Sequence, residues 1–410
     1  MKNLLTLAGA LTIALNTTGQ TVIWNNQSHP ADLATLSVGF SNDGTQVISG
    51  SECDSARVRI WNTATGAQTW EHIIGSGLFC ANGVSLSANG TSLGIAEETG
   101  TLFVFDYTTP TPVLVHTINV GVGMYSIRFS PNSANVAVDG DDGSVRIYDV
   151  ASGNLIRTIS GNNGAVFSLD YNNDGTLLAA GSQDNNVRIW NANDGSLVAT
   201  LTGHTSDIAS VKFSADGSHL VTASTNGQIK VWMPMMGNMW MLHIGYSAPE
   251  NLHQIDVSDD LEYVIAGGVS ETFVYETFTG DLRANFNVTD GEDVYTVDFQ
   301  PSTYNAVTGT GSGRVVYWGL NDLLAVGDLG KAALELEVFP NPTSDQVTLS
   351  TAGTTGPVEV KLYAADGRLV RAERLNELRS IIDLSELPAA TYLLRAETED
   401  RIGVRSITKR

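Results

Sequence analysis

The chain has 410 residues, 42% hydrophobic and 16% charged side chains, and a net charge of −22, the make-up of a folded chain with more than one domain. Residues 20–330 hold 10 basic and 32 acidic side chains, whereas residues 331–410 hold 11 and 12, so the acidity belongs to the longer first part. A field of that sign repels phosphate backbones and anionic membrane faces, which speaks against nucleic acid and against unaided membrane docking.

The first residues read MKNLLTLAGALTIALNTTGQ. One lysine, an apolar run of about a dozen residues and then small polar residues make a secretory signal peptide over residues 1–19, too short to span a bilayer. No later segment is apolar enough to span, so no transmembrane segment is expected. Cys53 and Cys80 are the two cysteines, and in an exported chain a pair suggests one disulfide.

From residue 20 onward the chain repeats itself. The residues closing each strand of the VKFSADG type are Phe40, Leu86, Phe129, Tyr171, Phe213, Val257 and Phe299, spaced by 46, 43, 42, 42, 44 and 42. The aromatics closing each VRIW-like strand are Trp61, Phe105, Tyr148, Trp190, Trp232, Tyr275 and Trp318, and the two marks stay 18–21 residues apart seven times over. Between them, alternating runs flank turns such as SNDG, SANG, NNDG and SADG, which predicts four short antiparallel strands per unit. A lone four-stranded sheet cannot bury both faces, so neighbours must cover it, and a ring results. TVIWN at residues 21–25 resembles the fourth strands and sits one strand ahead of the first unit, where it would complete the last blade.

Trp61, Trp190, Trp232 and Trp318, the Gly203-His204 pair, and Asp142 and Asp184 before the third strands resemble the WD-repeat family, which implies a seven-bladed β-propeller over residues 20–320. One unit has Gly-His, and the family's turn aspartate is replaced by Asn226, Thr99 and Ser312 in three units, so the family's His–Ser–Asp–Trp hydrogen-bond net is incomplete in most blades. In a propeller Cys53 and Cys80 fall on the same face of neighbouring blades, within reach of a Cys53–Cys80 disulfide. Propellers commonly bind on the face carrying the fourth-to-first loops. Counting six and four residues back from the first-strand marks places Asn82, Tyr125, Phe167, Asp207, Asn251, His253, Asp293 and Tyr295 there. Aromatics beside carboxylates suit a protein hot spot or sugar stacking; the alternative is that some of them plug the central channel.

Met233, Met235, Met236, Met239 and Met241 crowd the third-to-fourth hairpin of the fifth unit. They are gap-fillers and contact surface or, as soft ligands, a weak Cu(I) candidate. No hydrolase, zinc, phosphate-loop or redox motif occurs, so no catalytic residue is assigned. No cofactor is expected, calcium being the ion an acidic channel would take.

After Asn321 the spacing stops, residues 321–333 read as a linker, and residues 334–410 read as a separate small β domain. Pro340, Asn341 and Pro342, Asp366 and Gly367, Asp383, Leu387 and Pro388, Tyr392, Gly403 and Lys409 make this segment similar to the C-terminal sorting domain of the type IX secretion system of Gram-negative bacteria. That resemblance implies an address, transport by that secretion machinery through the periplasm and across the outer membrane to the cell surface or the medium. The chain is therefore read as all-β, a seven-bladed propeller followed by a small Ig-like β-sandwich. The expected function is a non-catalytic scaffold binding a protein or glycan. The alternatives are a propeller hydrolase or lactonase with an acidic, metal-binding axial channel built on Asp207, His253 and Asp293, and a passive surface-layer spacer.

Overall fold

A computed structural model describes residues 20–27, 33–52, 57–74, 80–109, 111–235, 239–287, 291–320, 332–333, 335–339, 343, 345–352, 357–364, 369–375, 379–398 and 401–410. The signal-peptide reading of residues 1–19, Cys53, Met236, Pro340, Asn341, Pro342, Asp366 and Gly367 lie outside the described residues.

Seven four-stranded antiparallel sheets follow one another. Blade 5 shows how the sequence builds each: Ile208–Phe213, Leu220–Ser224, Gln228–Pro234 and Trp240–Ser247. Its SADG turn closes because Asp216 Oδ1 accepts from Ser214 Oγ (2.6 Å) and Ser218 N (2.9 Å), while Gly217 takes a left-handed φ of +70° that a side chain would strain. The inner strands are Thr35–Phe40, Ala81–Leu86, Ile127–Phe129, Val166–Tyr171, Ile208–Phe213, Leu252–Val257 and Val294–Phe299. Each ends on its sequence mark. The seven third-strand aromatics are all buried, none more than 5% exposed.

Seven apolar clusters each join two adjacent sheets, so every blade hides both faces against its neighbours. In the fourth-to-fifth interface a Cβ on Gly181 would lie 2.5 Å from Ile208 Cγ2, so glycine in the second strand lets the next inner strand come close. The last interface joins Val307 and Val315 of blade 7 to Val38, Val47 and Trp61 of blade 1. Blade 7 takes its outer strand from the other end of the ring: Thr21–Gln27 pairs antiparallel with Arg314–Gly319.

The tail forms a five-stranded and a three-stranded sheet over one core of Val347, Leu349, Val360, Leu362, Ile382, Leu394 and their neighbours. Ala332–Ala333, expected in the linker, instead pairs in parallel with Arg401 and Ile402 as an edge of the larger sheet. Lys361 and Arg395 are cross-strand partners in that sheet, and both reach Glu262 in the first turn of blade 6, at 3.6 and 3.0 Å. Among the described residues no helix is long and apolar enough to cross a membrane.

Candidate functional site

The inner strands bring one residue per blade to a common cavity of about 110 Å³ at the end of the ring where those strands begin. Four residues before the closing mark, Leu36, Asn82, Tyr125, Phe167, Ala209, His253 and Tyr295 form its rim, with Arg128 and Gln254 deeper in. The Tyr125 and Phe167 rings meet edge to face at 5.2 Å, and the His253 and Tyr295 rings lie 4.8 Å apart. Asn82 Nδ2 donates to Met124 O at 2.9 Å. Burial holds His253 below the ordinary histidine range against the pull of Asp293 and Glu250, so a neutral imidazole lines the cavity, and its buried Nε2 has no hydrogen-bond partner among the described residues. Burial also raises the Tyr125 and Tyr295 hydroxyls, helped by Asp141, Glu98 and Asp139 around Tyr125 and by Asp293 and Glu52 around Tyr295. The mouth is thus aromatic, narrow and ringed by acid.

Below it, the rings of side chains hold the blades together. Three residues before the marks, Thr296 Oγ1 accepts from Val38 N (3.0 Å), Ser126 Oγ from Leu169 N (3.3 Å) and Ser168 Oγ from Val211 N (3.1 Å), each across a blade boundary. One residue before the marks stand Gly39, Ser85, Arg128, Asp170, Lys212, Asp256 and Asp298. Asp170, Asp256 and Asp298 each accept the next blade's closing N–H, from Phe213 (2.8 Å), Phe299 (2.7 Å) and Phe40 (2.8 Å). Lys212 Nζ lies 3.0 Å from Asp256 Oδ1, and Arg128 Nε 3.5 Å from Asp170 Oδ1. Burial would lower the Lys212 pKa, but Asp256, Asp170 and Asp298 outweigh it and hold the ammonium above the usual lysine value. Burial and the Asp256 charge push Asp298 up to about 7, with Lys212 opposing. This charged girdle was missed in the sequence, because each member reads singly as the polar half of an alternating strand.

The other sequence candidates are not part of the cavity lining, although Asp293 Oδ2 accepts from the rim hydroxyl of Tyr295 at 3.2 Å. Asp207, Asn251 and Asp293, six residues before the marks, do not line the cavity. At that offset the chain is still in the loop, where their carbonyls accept from Thr225 N (2.9 Å), Val269 N (3.3 Å) and Gly311 N (2.9 Å). Among the described residues no group of three or more His, Cys, Asp or Glu side chains is placed to hold a metal ion. His204 is buried between Ser224 Oγ (3.1 Å) and Thr222 Oγ1 (2.8 Å), and Trp232 Nε1 donates to the same Thr222 Oγ1 (2.9 Å). Burial brings its pKa down to about 4, so it is a neutral strut. Asn226 completes this net in blade 5 by accepting from Ser224 Oγ at 2.6 Å. Asp142 and Asp184 instead bind Arg146 and Arg188 four residues on, at 2.6 and 2.7 Å. Met233 and Met241 are cross-strand partners; Met235 and Met239 are exposed.

In the tail, the described sorting residues other than Gly403 gather around one loop. Lys409, only 7% exposed, donates from Nζ to Leu384 O (2.5 Å), Ser385 O (3.0 Å) and Leu387 O (2.6 Å). Asp383 Oδ1 accepts from Ser385 N (2.9 Å), and Tyr392 Oη donates to Pro388 O (2.7 Å). Leu387 packs on the tail core, and Gly403 pairs with Ala396 in the larger sheet. The spacing of Asp383, Leu387, Pro388, Tyr392 and Lys409 therefore serves one turn capped by a buried ammonium.

Comparison with known families gives two matches: "WD domain, G-beta repeat" over residues 21–62, 112–149, 153–191 and 195–233, and "Secretion system C-terminal sorting domain" over residues 337–410. Among solved structures, the β-propeller domain of Cps50 (Swd1) from Myceliophteria thermophila is similar at 15% identity with a TM-score of 0.65, over 73% of this chain and 99% of that one, which is a likeness of fold. The comparison with curated proteins found no match.

Proposed function

Because the chain is a WD-repeat β-propeller protein carrying a secretion-system C-terminal sorting domain, we propose that it is exported across the outer membrane and acts there as a non-catalytic binding ring. The observation carrying this reading is the convergence of seven inner-strand residues on one cavity. A cavity of about 110 Å³ takes one side chain or one ring of a larger ligand. The acidic surround of Tyr125 and Tyr295 and the aromatic rim favour a protein that inserts a basic side chain. A glycan is the second reading, favoured by the edge-to-face Tyr125–Phe167 pair, whose rings offer stacking faces.

The test is affinity capture from bacterial and host surface extracts with the full chain, with calcium and with chelator, beside the double variant Phe167→Ala, Tyr295→Ala. Loss of two central aromatics should weaken capture at least tenfold. A partner held equally by the variant would move the site off the mouth, and an empty capture would favour a passive spacer.

Export also bears on the cysteines. A Cys53–Cys80 disulfide is supported by three facts. Cys80 is buried, no free cysteine occurs among the described residues, and Gly50, three residues before Cys53, would place a Cβ 2.7 Å from Ala81 O. Thiol titration of the unreduced, unfolded chain should give zero; two thiols per chain would refute the bond.

A further inference from the structure

We propose that the end of blades 5 and 6 opposite the mouth holds one soft monovalent ion, Cu(I), between the imidazoles of His219 and His243 and the thioethers of Met233 and Met241. The idea is independent of the mouth. It rests on a juxtaposition across 24 residues of sequence: His219 Nε2 lies 3.3 Å from His243 Nδ1, with ring centroids 5.5 Å apart.

The hydrogen bonds select the tautomer. Ser218 Oγ gives its proton to Asp216 Oδ1 (2.7 Å), so towards His219 Nδ1, also at 2.7 Å, it accepts. His219 therefore carries its proton on Nδ1 and turns a bare Nε2 towards His243. A carboxylate acting on the far nitrogen through one hydroxyl is the outer-shell arrangement that orients metal-binding histidines and raises their basicity. Two nitrogens each about 2 Å from one ion at a tetrahedral angle stand about 3.3 Å apart.

Strand register brings sulfur to the same place. Leu220 and Trp232 form the last pair of their ladder, His219 and Met233 are the next residues beyond it, and Met233 pairs with Met241. Partners across neighbouring strands share a sheet face. The fourth strand bulges where Trp232 pairs with Leu242 and Val231 with Ile244, which leaves His243 as the extra residue, and a bulge of this kind re-aims a side chain. Phe278 of blade 6 caps the two imidazoles, its ring 5.2 Å from each. Met241 is 43% exposed and Met239 65%, which leaves an approach for the ion. Two imidazoles without a third His, Cys, Asp or Glu among the described residues make a poor zinc site, whereas thioether donors favour Cu(I).

The test is anaerobic titration of the full chain with Cu(I) against the chromophoric chelator bicinchoninate. One equivalent should be withdrawn from the chelator. His219→Ala or His243→Ala should each weaken binding at least tenfold, and the pair Met233→Leu, Met241→Leu should weaken it with an unchanged circular-dichroism spectrum. X-ray absorption of the wild-type copper complex, which needs no variant, should show both nitrogen and sulfur neighbours. No competition by the wild type, full binding by the double histidine variant, an absorption spectrum without sulfur, or equal retention of Zn(II) would each overturn the assignment.

Discussion

Replacing Lys212 by methionine is expected to lower the free energy of unfolding by about 3–5 kcal/mol, the range for breaking a buried ion pair from one side. The ammonium lies 3.0 Å from Asp256 Oδ1 and sits in the field of Asp170 and Asp298 as well, so its removal leaves three carboxylates near the axis with Arg128 as the remaining cation of the girdle. Each of the three also accepts a backbone N–H from the next blade, so swelling there loosens three of the seven blade boundaries. The deficit carries a pH signature. Asp298 has a folded pKa raised to about 7, and buried Asp139, accepting from Tyr125 N and Ser126 N, is raised to about 7 by burial. A raised carboxylate favours the folded state at low pH and loses that advantage as pH climbs from its unfolded value of about 4 through its folded value. The wild type should therefore lose part of its stability between about pH 4 and 7, and Lys212→Met should lose more, because the cation that holds the aspartates down is gone. Urea melts at pH 5 and pH 8 measure both, and Lys212→Arg should recover most of the loss. A methionine variant with the wild-type midpoint at both pH values would contradict this account of the girdle.

Deleting residues 20–27 should cost more, because one strand does two jobs. Thr21–Gln27 supplies the outer strand of blade 7, and its side chains also clasp blade 1. Trp24 Nε1 donates to Thr63 O at 2.7 Å and Asn26 Nδ2 to Gly66 O at 2.6 Å, while the Trp24 ring lies 6.5 Å from Trp61 and 5.5 Å from Tyr317. Gly66 has φ +68°, and a Cβ there would come within 2.8 Å of the indole, so the hairpin of blade 1 is shaped to receive it. Without the strand, Arg314–Gly319 becomes an open edge that invites pairing between chains, and the two ends of the ring lose their latch. Trp24→Ala alone is expected to cost about 2–4 kcal/mol, and the deletion variant should aggregate or melt without a cooperative transition. Calorimetry of both decides it; a deletion variant that is soluble and melts as sharply as the wild type would show that the ring does not depend on this closure.

What could be seen in the sequence follows from how each feature is encoded. Phe213 and Trp232 recur at fixed offsets because every blade repeats the same inward-facing positions, so the number of blades and the ends of all seven inner strands could be counted. Tyr125, Phe167, His253 and Tyr295 could be found the same way, since the fourth residue back from each mark faces the axis in every blade. Asp207, Asn251 and Asp293 could not be judged, because two residues further out the regular strand has not begun and the offset no longer tells where a side chain points. The girdle of Arg128, Asp170, Lys212, Asp256 and Asp298 escaped notice because its charges compensate between blades, and only the closed ring puts Lys212 beside Asp256. His219 and His243 were separate for the same reason: their meeting depends on the order of strands across blade 5. In the tail, the resemblance marked Lys409 as a sorting residue without its role; three carbonyls around Leu384–Leu387 make it a buried cap.

The central claim is that a partner enters the ring at the mouth where the inner strands begin. A photoreactive benzophenone side chain placed at Tyr125, on the rim and 38% exposed, can be compared with one at Leu197, 56% exposed on the outer strand of blade 4. On irradiation with surface extract, the probe at Tyr125 should become covalently joined to a single partner and the probe at Leu197 should not. Joining of the same partner only through Leu197, with none through Tyr125, would place recognition on the rim of the blades and contradict the claim.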